Sequence, residues 1–367
     1  MYDQRLDLLA TLLVDYCVET QAGEVVRIHS LPQAGDLVRA VYREVLKAGG
    51  YPLVRFRLDG FDELFYRYAS DAQIDYVTDV QRYEVEHIQA SIGIWAPGNL
   101  RETAGIDPKR LARRSKAMEP LQAPFMKPRD QGGVKWVGLD FPTNGSAQEA
   151  GMSLADYEEF VFRACMPEPG NPADYWRKVH AEQERLVQIL NRVEALHFQG
   201  PRMDLRLRCQ GRKWINCDGQ MNMPDGEIFT APIDDSAQGW IAFDYPSEFY
   251  GKPVEGIRLD FLDGKVVGSS AEKGADCLQA ALEVDEGAQR IGEISFGTNA
   301  GIQICTKNTL FDEKIGGTIH LALGEAYPES GGINKSAIHW DIVAEMKNGS
   351  RVLADGRTIY ENGQFLI

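Results

Sequence analysis

Cationic residues are in short supply: 39 Lys and Arg stand against 54 Asp and Glu, for a formal charge of −15. Phosphate binding needs a surplus of cations on some face, so nucleic acid is excluded as a partner. The densest basic run, KRLARRSK at Lys109–Lys116, reads as the solvated side of a helix. Cysteine is sparse as well. Six residues (Cys17, Cys165, Cys209, Cys217, Cys277 and Cys305) are scattered without a CxxC pair or tight His/Cys spacing. That is the pattern of reduced, mostly buried thiols, not of a disulfide framework. No apolar run approaches the roughly 18 residues of a membrane span. The opening MYDQRLDLLATLLVDYCVE has acids from its third residue and lacks the basic start and cleavage site of a secretory signal. Walker-type and dinucleotide-type glycine loops are missing, as are internal repeats and low-complexity tracts. A cytoplasmic protein with neither a nucleic-acid nor a membrane partner is expected, and the sequons at Asn144, Asn334 and Asn348 are then incidental.

A chain of 367 residues fits two domains. The first half alternates strand and helix. Residues 3–20 carry Leu6, Leu9, Leu13 and Cys17 at helical spacing, and Gly23 ends the run. Glu24–His29 reads as a strand, Ala34–Lys47 as a helix and Tyr51–Leu58 as a strand, the βαβ signature of a parallel sheet. Helices near 70–85 and 107–116 and strands at His87–Trp95 and Val134–Phe141 continue the pattern. Two helices close this half: Ser153–Ala164, with Ser153 and Asp156 spaced as a near capping box, and Pro172–Ala195. After Gly200 the texture becomes short alternating runs separated by turn dipeptides. Asp263-Gly264, Asp355-Gly356 and Asn362-Gly363 favour tight hairpins, and one helix, Gly274–Val284, interrupts them. The expected architecture is an α/β N-terminal domain with a mainly parallel sheet (1–195), then an α+β, mainly antiparallel domain (196–367).

Chemistry concentrates between Gly316 and Asp341, which hold His320, Tyr327, His339 and Asp341. In a strand, residues two apart share a face, so His339 and Asp341 project together. Glu227, after a Pro-Asp-Gly turn, and Glu293, inside the apolar run RIGEISFG, are the unusual carboxylates of this half. A carboxylate in an apolar strand must be paired, neutral or ligated. Taken alone, each is more simply a surface-facing strand residue. Taken together, three carboxylates, two imidazoles and a phenol suit a pair of borderline dications such as zinc, cobalt or manganese. Two dications would balance three carboxylates and a bridging hydroxide.

These motifs resemble the aminopeptidase T and aminopeptidase S family of dinuclear metallo-aminopeptidases. The resemblance lies in NMPDGEIFTAP (Asn222–Pro232), EISFGTNAGI (Glu293–Ile302), HLALGEAY (His320–Tyr327), His339-Trp340-Asp341 and FPTNGSAQEAGMS (Phe141–Ser153), and so covers most of the chain. It implies two divalent metal ions per chain (Zn, Co or Mn), with Glu227, Glu293, His320, Tyr327, His339 and Asp341 as ligands and Glu293 as the bridge. It further implies release of N-terminal residues from peptides with a free N-terminus through a metal-bridging water or hydroxide. Glu293 is the possible proton acceptor and Tyr327 a ligand or oxyanion donor. A homodimer is implied too. The interval from His320 to His339 leaves only a brief loop, and Trp340 fills the middle of the His-x-Asp. Two other readings compete: a mononuclear Fe(II) ring-cleaving dioxygenase of the same fold using His320, His339 and Asp341, and a non-catalytic ligand-binding module. The remaining histidines take plainer readings, with His180 and His197 solvated and His29 and His87 in packing roles.

Overall fold

Strand alternation in the first half is plainest in its first strand. Along Val25–Ser30, Val26, Ile28 and Ser30 are buried, and the residues between them are only partly so. The helix Gly35–Lys47 follows with Leu37, Val38, Val41 and Val45 buried on one side, packing back onto that strand. Tyr51–Phe56 then pairs parallel with Val25–Ser30, completing the expected βαβ unit. The computed structural model describes residues 3–127 and 129–367; Met1, Tyr2 and Pro128 lie outside them. Across this sheet the order is Tyr51–Phe56, Val25–Ser30, Ala90–Trp95, Lys135–Asp140 and Asn222–Met223, parallel throughout.

Two compact units emerge: Met1–Tyr175 with Gly219–Pro224, and Trp176–Asp218 with Asp225–Ile367. Sequence texture places the division at residue 195. The long helix Pro172–Leu190 instead goes almost wholly with the second unit, because Leu186, Val187 and Leu190 belong to that unit's core. The strand Asn222–Met223 returns to the parallel sheet, an excursion that no local pattern announces.

Other local differences have local causes. The stretch expected as one helix near 70–85 is broken into Asp71–Asp75 and Asp79–His87, each started by its own capping box at Ser70 and Thr78. The KRLARRSK run is not simply solvated. Arg113 pairs with Asp71 and Asp75, and Arg114 donates to the carbonyls of Ile74 and Tyr76, so the helix Pro108–Met126 clamps those short helices. Ser153 caps Leu154–Cys165 as its spacing suggests, accepting from the Asp156 amide at 3.1 Å. No helix of the described residues is long and apolar enough to cross a membrane.

The second unit is built on two antiparallel sheets. Eight strands follow the order 265–270, 258–262, 238–242, 203–208, 195–200, 351–354, 357–361 and 364–365. All three turn dipeptides make hairpins here, and both residues of each have positive φ, as a type I′ turn requires. The other sheet runs His339–Glu345, Thr318–Gly324, Ile291–Gly297, Glu227–Thr230 and Ile215–Cys217. Leu196, Phe198, Leu205, Ile241 and Leu259 of the first sheet share one core with Ile228, Ile294, Phe296, Ile319, Leu321 and Ile342 of the second. Phe198 and Phe296 meet across it with ring centroids 6.3 Å apart.

Candidate metal centre

That shared core uses one face of the five-stranded sheet, and period-two alternation assigns the other face its side chains. Ala322 lies opposite Glu293 on one side and Asp341 on the other. Two residues along, His320 lies opposite Ser295, which in turn lies opposite Phe229. Glu227 is opposite Gly297 and Cys217. Cys217, Glu227, Glu293, Ser295, His320, His339 and Asp341 therefore share the face turned from the core. Small residues at 295, 297, 322 and 324 leave it room.

Glu293 shares this face with Ser295 by ordinary alternation, and an irregularity lies just before it. Ile291 pairs with Leu323 but Glu293 pairs with Ala322, so Gly292 is an extra residue. That extra residue is why Ile291, two positions before Glu293, faces the core instead. A side chain at Gly292 would also collide with the carbonyls of Gly324 and Glu325, its Cβ 2.4 Å from each.

The cluster is tight and almost dry. Glu227, Glu293 and His320 are all less than a tenth exposed, and one ligand atom from each lies within 4.8 Å of the others. His320 Nε2 is 3.0 Å from Glu293 Oε1, 3.5 Å from Glu227 Oε2 and 3.8 Å from Asp341 Oδ1. His339 Nε2 is 3.4 Å from Asp341 Oδ1 and 3.8 Å from Glu293 Oε2. Both rings are oriented from behind. Nδ1 of His320 faces the carbonyl of Glu313 at 3.0 Å, and Nδ1 of His339 that of Glu325 at 2.8 Å. Each Nδ1–H donates backward and Nε2 points into the cluster, the arrangement by which carbonyls behind the ring orient metal-binding histidines.

Electrostatics shows what the cluster does without an ion. Burial alone would strip the protons from His320 and His339, yet the surrounding carboxylates outweigh it and raise both to about 10. Burial raises Glu227 to about 8 against the pull of Lys314, and raises Glu293 against that of His320. Asp341 goes the other way, lowered to about 2: burial opposes the shift, but His339 and His320 outweigh it. Asp341 Oδ1 nonetheless is buried and makes no hydrogen bond. A carboxylate oxygen without a hydrogen bond, set among two imidazole Nε2 atoms and two further carboxylates, fits a divalent cation of the zinc, cobalt or manganese kind.

Tyr327 stands at the rim. Its ring packs 4.9 Å from that of His339 and 5.7 Å from that of Phe229, and it is half-exposed. Burial, then Glu293 and Asp341, push its phenol above the usual range, so it stays protonated while no ion is bound.

Sequence reasoning overlooks several neighbours. Ser295 Oγ lies 3.1 Å from Glu227 Oε2, and its i+2 spacing from Glu293 could have disclosed it. The carbonyls of Glu313 and Glu325 leave no trace in side-chain type. Lys314 is wholly buried beside Glu227, in a turn without periodic pattern. Of the plainer histidines, His180 is exposed as expected, with Nδ1 2.5 Å from Asp218, whereas His197 is largely covered, with Nε2 2.6 Å from Asp204. His87 ends a helix, where its ring meets the carbonyl of Tyr83 at 2.7 Å.

The architecture matches wild-type AmpT from Thermus thermophilus over 100% of both chains, with a TM-score of 0.84 at 23% identity. On that fold this chain carries a cluster of two histidines and three carboxylates, donor types that suit divalent metal ions. The chain belongs to the thermophilic metalloprotease family M29, whose match spans residues 2–365. Relatives include aminopeptidase AmpS of Bacillus subtilis, 27% identical over 99% of both chains. Aminopeptidase T of Thermus thermophilus is 30% identical over 69% of this chain and 70% of its own.

Proposed function

We propose that this chain is a metallo-aminopeptidase whose centre holds two divalent ions through Glu227, Glu293, His320, His339 and Asp341. One observation carries the reading: the two oxygens of Glu293 face different histidines, Oε1 toward His320 and Oε2 toward His339. A carboxylate placed in this way suits a bridge between two ions, and the relatives at 27% and 30% identity are both named aminopeptidases. Bound ions would supply a nucleophile at neutral pH and polarise the scissile carbonyl. Zinc, cobalt and manganese all suit the nitrogen and oxygen donors.

The chain's own groups do the rest. Backbone carbonyls of Glu313 and Glu325 fix the imidazoles, and near-complete burial excludes water from the carboxylates. Glu293 is the group suited to accept a proton from the nucleophile. Tyr327, protonated and beside His339, can donate its O–H to the oxygen on which negative charge develops. The chain's acidity favours the cationic end of a peptide. The inclusion of Glu227 and Glu293 favours a pair of ions over a single iron held by His320, His339 and Asp341. A homodimer in the cytoplasm completes the proposal, the former checked by sedimentation.

The test is hydrolysis of a panel of aminoacyl-p-nitroanilides by metal-stripped protein, with and without added zinc, cobalt or manganese. No metal-stimulated release across the panel sinks the reading. Tyr327→Phe separates the two roles open to that residue. As an oxyanion donor its loss lowers kcat by about 10²–10³-fold with bound metal unchanged; as a ligand its loss lowers metal content.

A further inference from the structure

Lys314 is a fully buried cation. Its place is set by backbone. The short helix Thr309–Asp312 ends just before it, and the Asn299 amide donates to its carbonyl at 3.1 Å. This crossing passes directly over Gly297, whose added Cβ would lie 2.3 Å from the Ile315 carbonyl oxygen and 3.0 Å from the Lys314 carbonyl carbon. Gly297 is the residue opposite Glu227. The missing side chain at 297 therefore lets the Lys314 backbone approach the strand pair where Glu227 emerges.

The ammonium lies 3.6 Å from Glu227 Oε1 and bonds to the carboxylate of Glu313. Glu227 Oε2 faces the opposite way, toward Ser295 Oγ at 3.1 Å and His320 Nε2 at 3.5 Å. The two oxygens of one carboxylate are thus divided between a fixed internal cation and the metal cluster. Cys217, Asp225 and Glu227 bring a thiol and two carboxylates within 4.8 Å of one another, a second group with the composition of an ion site. Asp225 and Glu227 both act electrostatically on the Lys314 ammonium. The dipeptide Glu313-Lys314 serves both ligands at once, since the carbonyl of Glu313 orients His320.

We propose that Lys314 is a positioning residue that stands in for a cation beside Cys217, Asp225 and Glu227, holding Glu227 Oε1 and leaving Oε2 as the one oxygen offered to the metal pair. The consequence is selectivity of place. Ions load on the histidine side of Glu227, and the thiol side stays closed to them. This rests on the reading of Glu227, Glu293 and His320 as a metal centre.

The experiment uses the full-length, metal-stripped protein. Zinc is titrated by calorimetry into wild type, Lys314→Met and Lys314→Arg, with melting of each ion-free protein measured alongside. Lys314→Met is expected to bind zinc about 10–100-fold more weakly, the usual cost of losing an outer-shell partner, with Lys314→Arg recovering part of the loss. Cadmium is then added and thiolate-to-metal absorption recorded, with Cys217→Ser as the assignment control. Wild type is expected to show no band that depends on Cys217; Lys314→Met is expected to gain one as Cys217 gives up its proton to bind. Zinc affinity of folded Lys314→Met within threefold of wild type overturns the inference while leaving the metal centre intact. A Cys217-dependent band in wild type overturns it as well, and that arm decides the matter if Lys314→Met does not fold. Failure of wild type to bind zinc at all removes the metal-centre reading and this inference with it.

Discussion

Glu293 meets His320 across adjacent strands with Oε1 3.0 Å from Nε2, while its second oxygen lies 3.8 Å from Nε2 of His339. Nothing else in the cluster addresses both imidazoles through separate atoms. Glu293→Gln keeps the shape and removes the charge. It is expected to lower zinc affinity by more than the roughly 10–100-fold that loss of an outer-shell partner costs, and to abolish aminopeptidase activity. Metal content per chain after dialysis checks this; wild-type content in the variant would show that Glu293 is not a bridge.

Ala322 sits directly between Glu293 and Asp341 across three strands and is fully buried. Its size keeps the space into which both carboxylates point. Ala322→Val adds two methyl groups to that space while remaining well suited to a strand. The fold is expected to survive, seen as a cooperative melting transition, while bound metal falls below half the wild-type content. Full metal content in a folded Ala322→Val protein would contradict the assignment of this face.

Much of this centre is legible in the sequence because strand geometry is so regular. His339 and Asp341 share a face by spacing alone, and the parallel first half follows from strand, helix and strand within 35 residues. Ile291 is the instructive exception. Simple alternation puts it on the side of Glu293 and Ser295, and only the extra residue at Gly292 turns it to the core. Lys314 and the orienting carbonyls of Glu313 and Glu325 were beyond reach for a different reason. Their roles come from non-local backbone crossings, which carry no periodic signature. The strand Asn222–Met223 hid in the same way, since two residues are too few for a pattern.

Metal uptake is expected to release protons. Without ions the carboxylates hold His320 and His339 charged up to about 10, so both Nε2 atoms carry protons at neutral pH. An ion must displace them, so affinity rises with pH through the neutral range. Calorimetric titration of zinc in two buffers of different ionisation enthalpy counts the protons. A release of at least one per ion is expected, and buffer-independent heats would overturn it.

His29 makes stability fall in mild acid. Its ring lies against Gly93, where an added Cβ would sit 2.7 Å from Nε2. Burial, with Arg27 and Arg57 adding to it, lowers its pKa from 6.5 to about 4. Between those values the unfolded chain binds a proton that the folded chain refuses, so stability declines as pH drops from 6.5 toward 4, by on the order of 3 kcal/mol at most. Asp312, raised by burial to about 6, contributes with the opposite sign, because the folded state holds its proton more tightly. That contribution is common to wild type and His29→Gln and cancels in their difference. Urea unfolding at pH 7 and pH 5 is expected to show a smaller loss of stability for His29→Gln than for wild type. Equal losses in the two proteins would show that the imidazole is charged inside the fold.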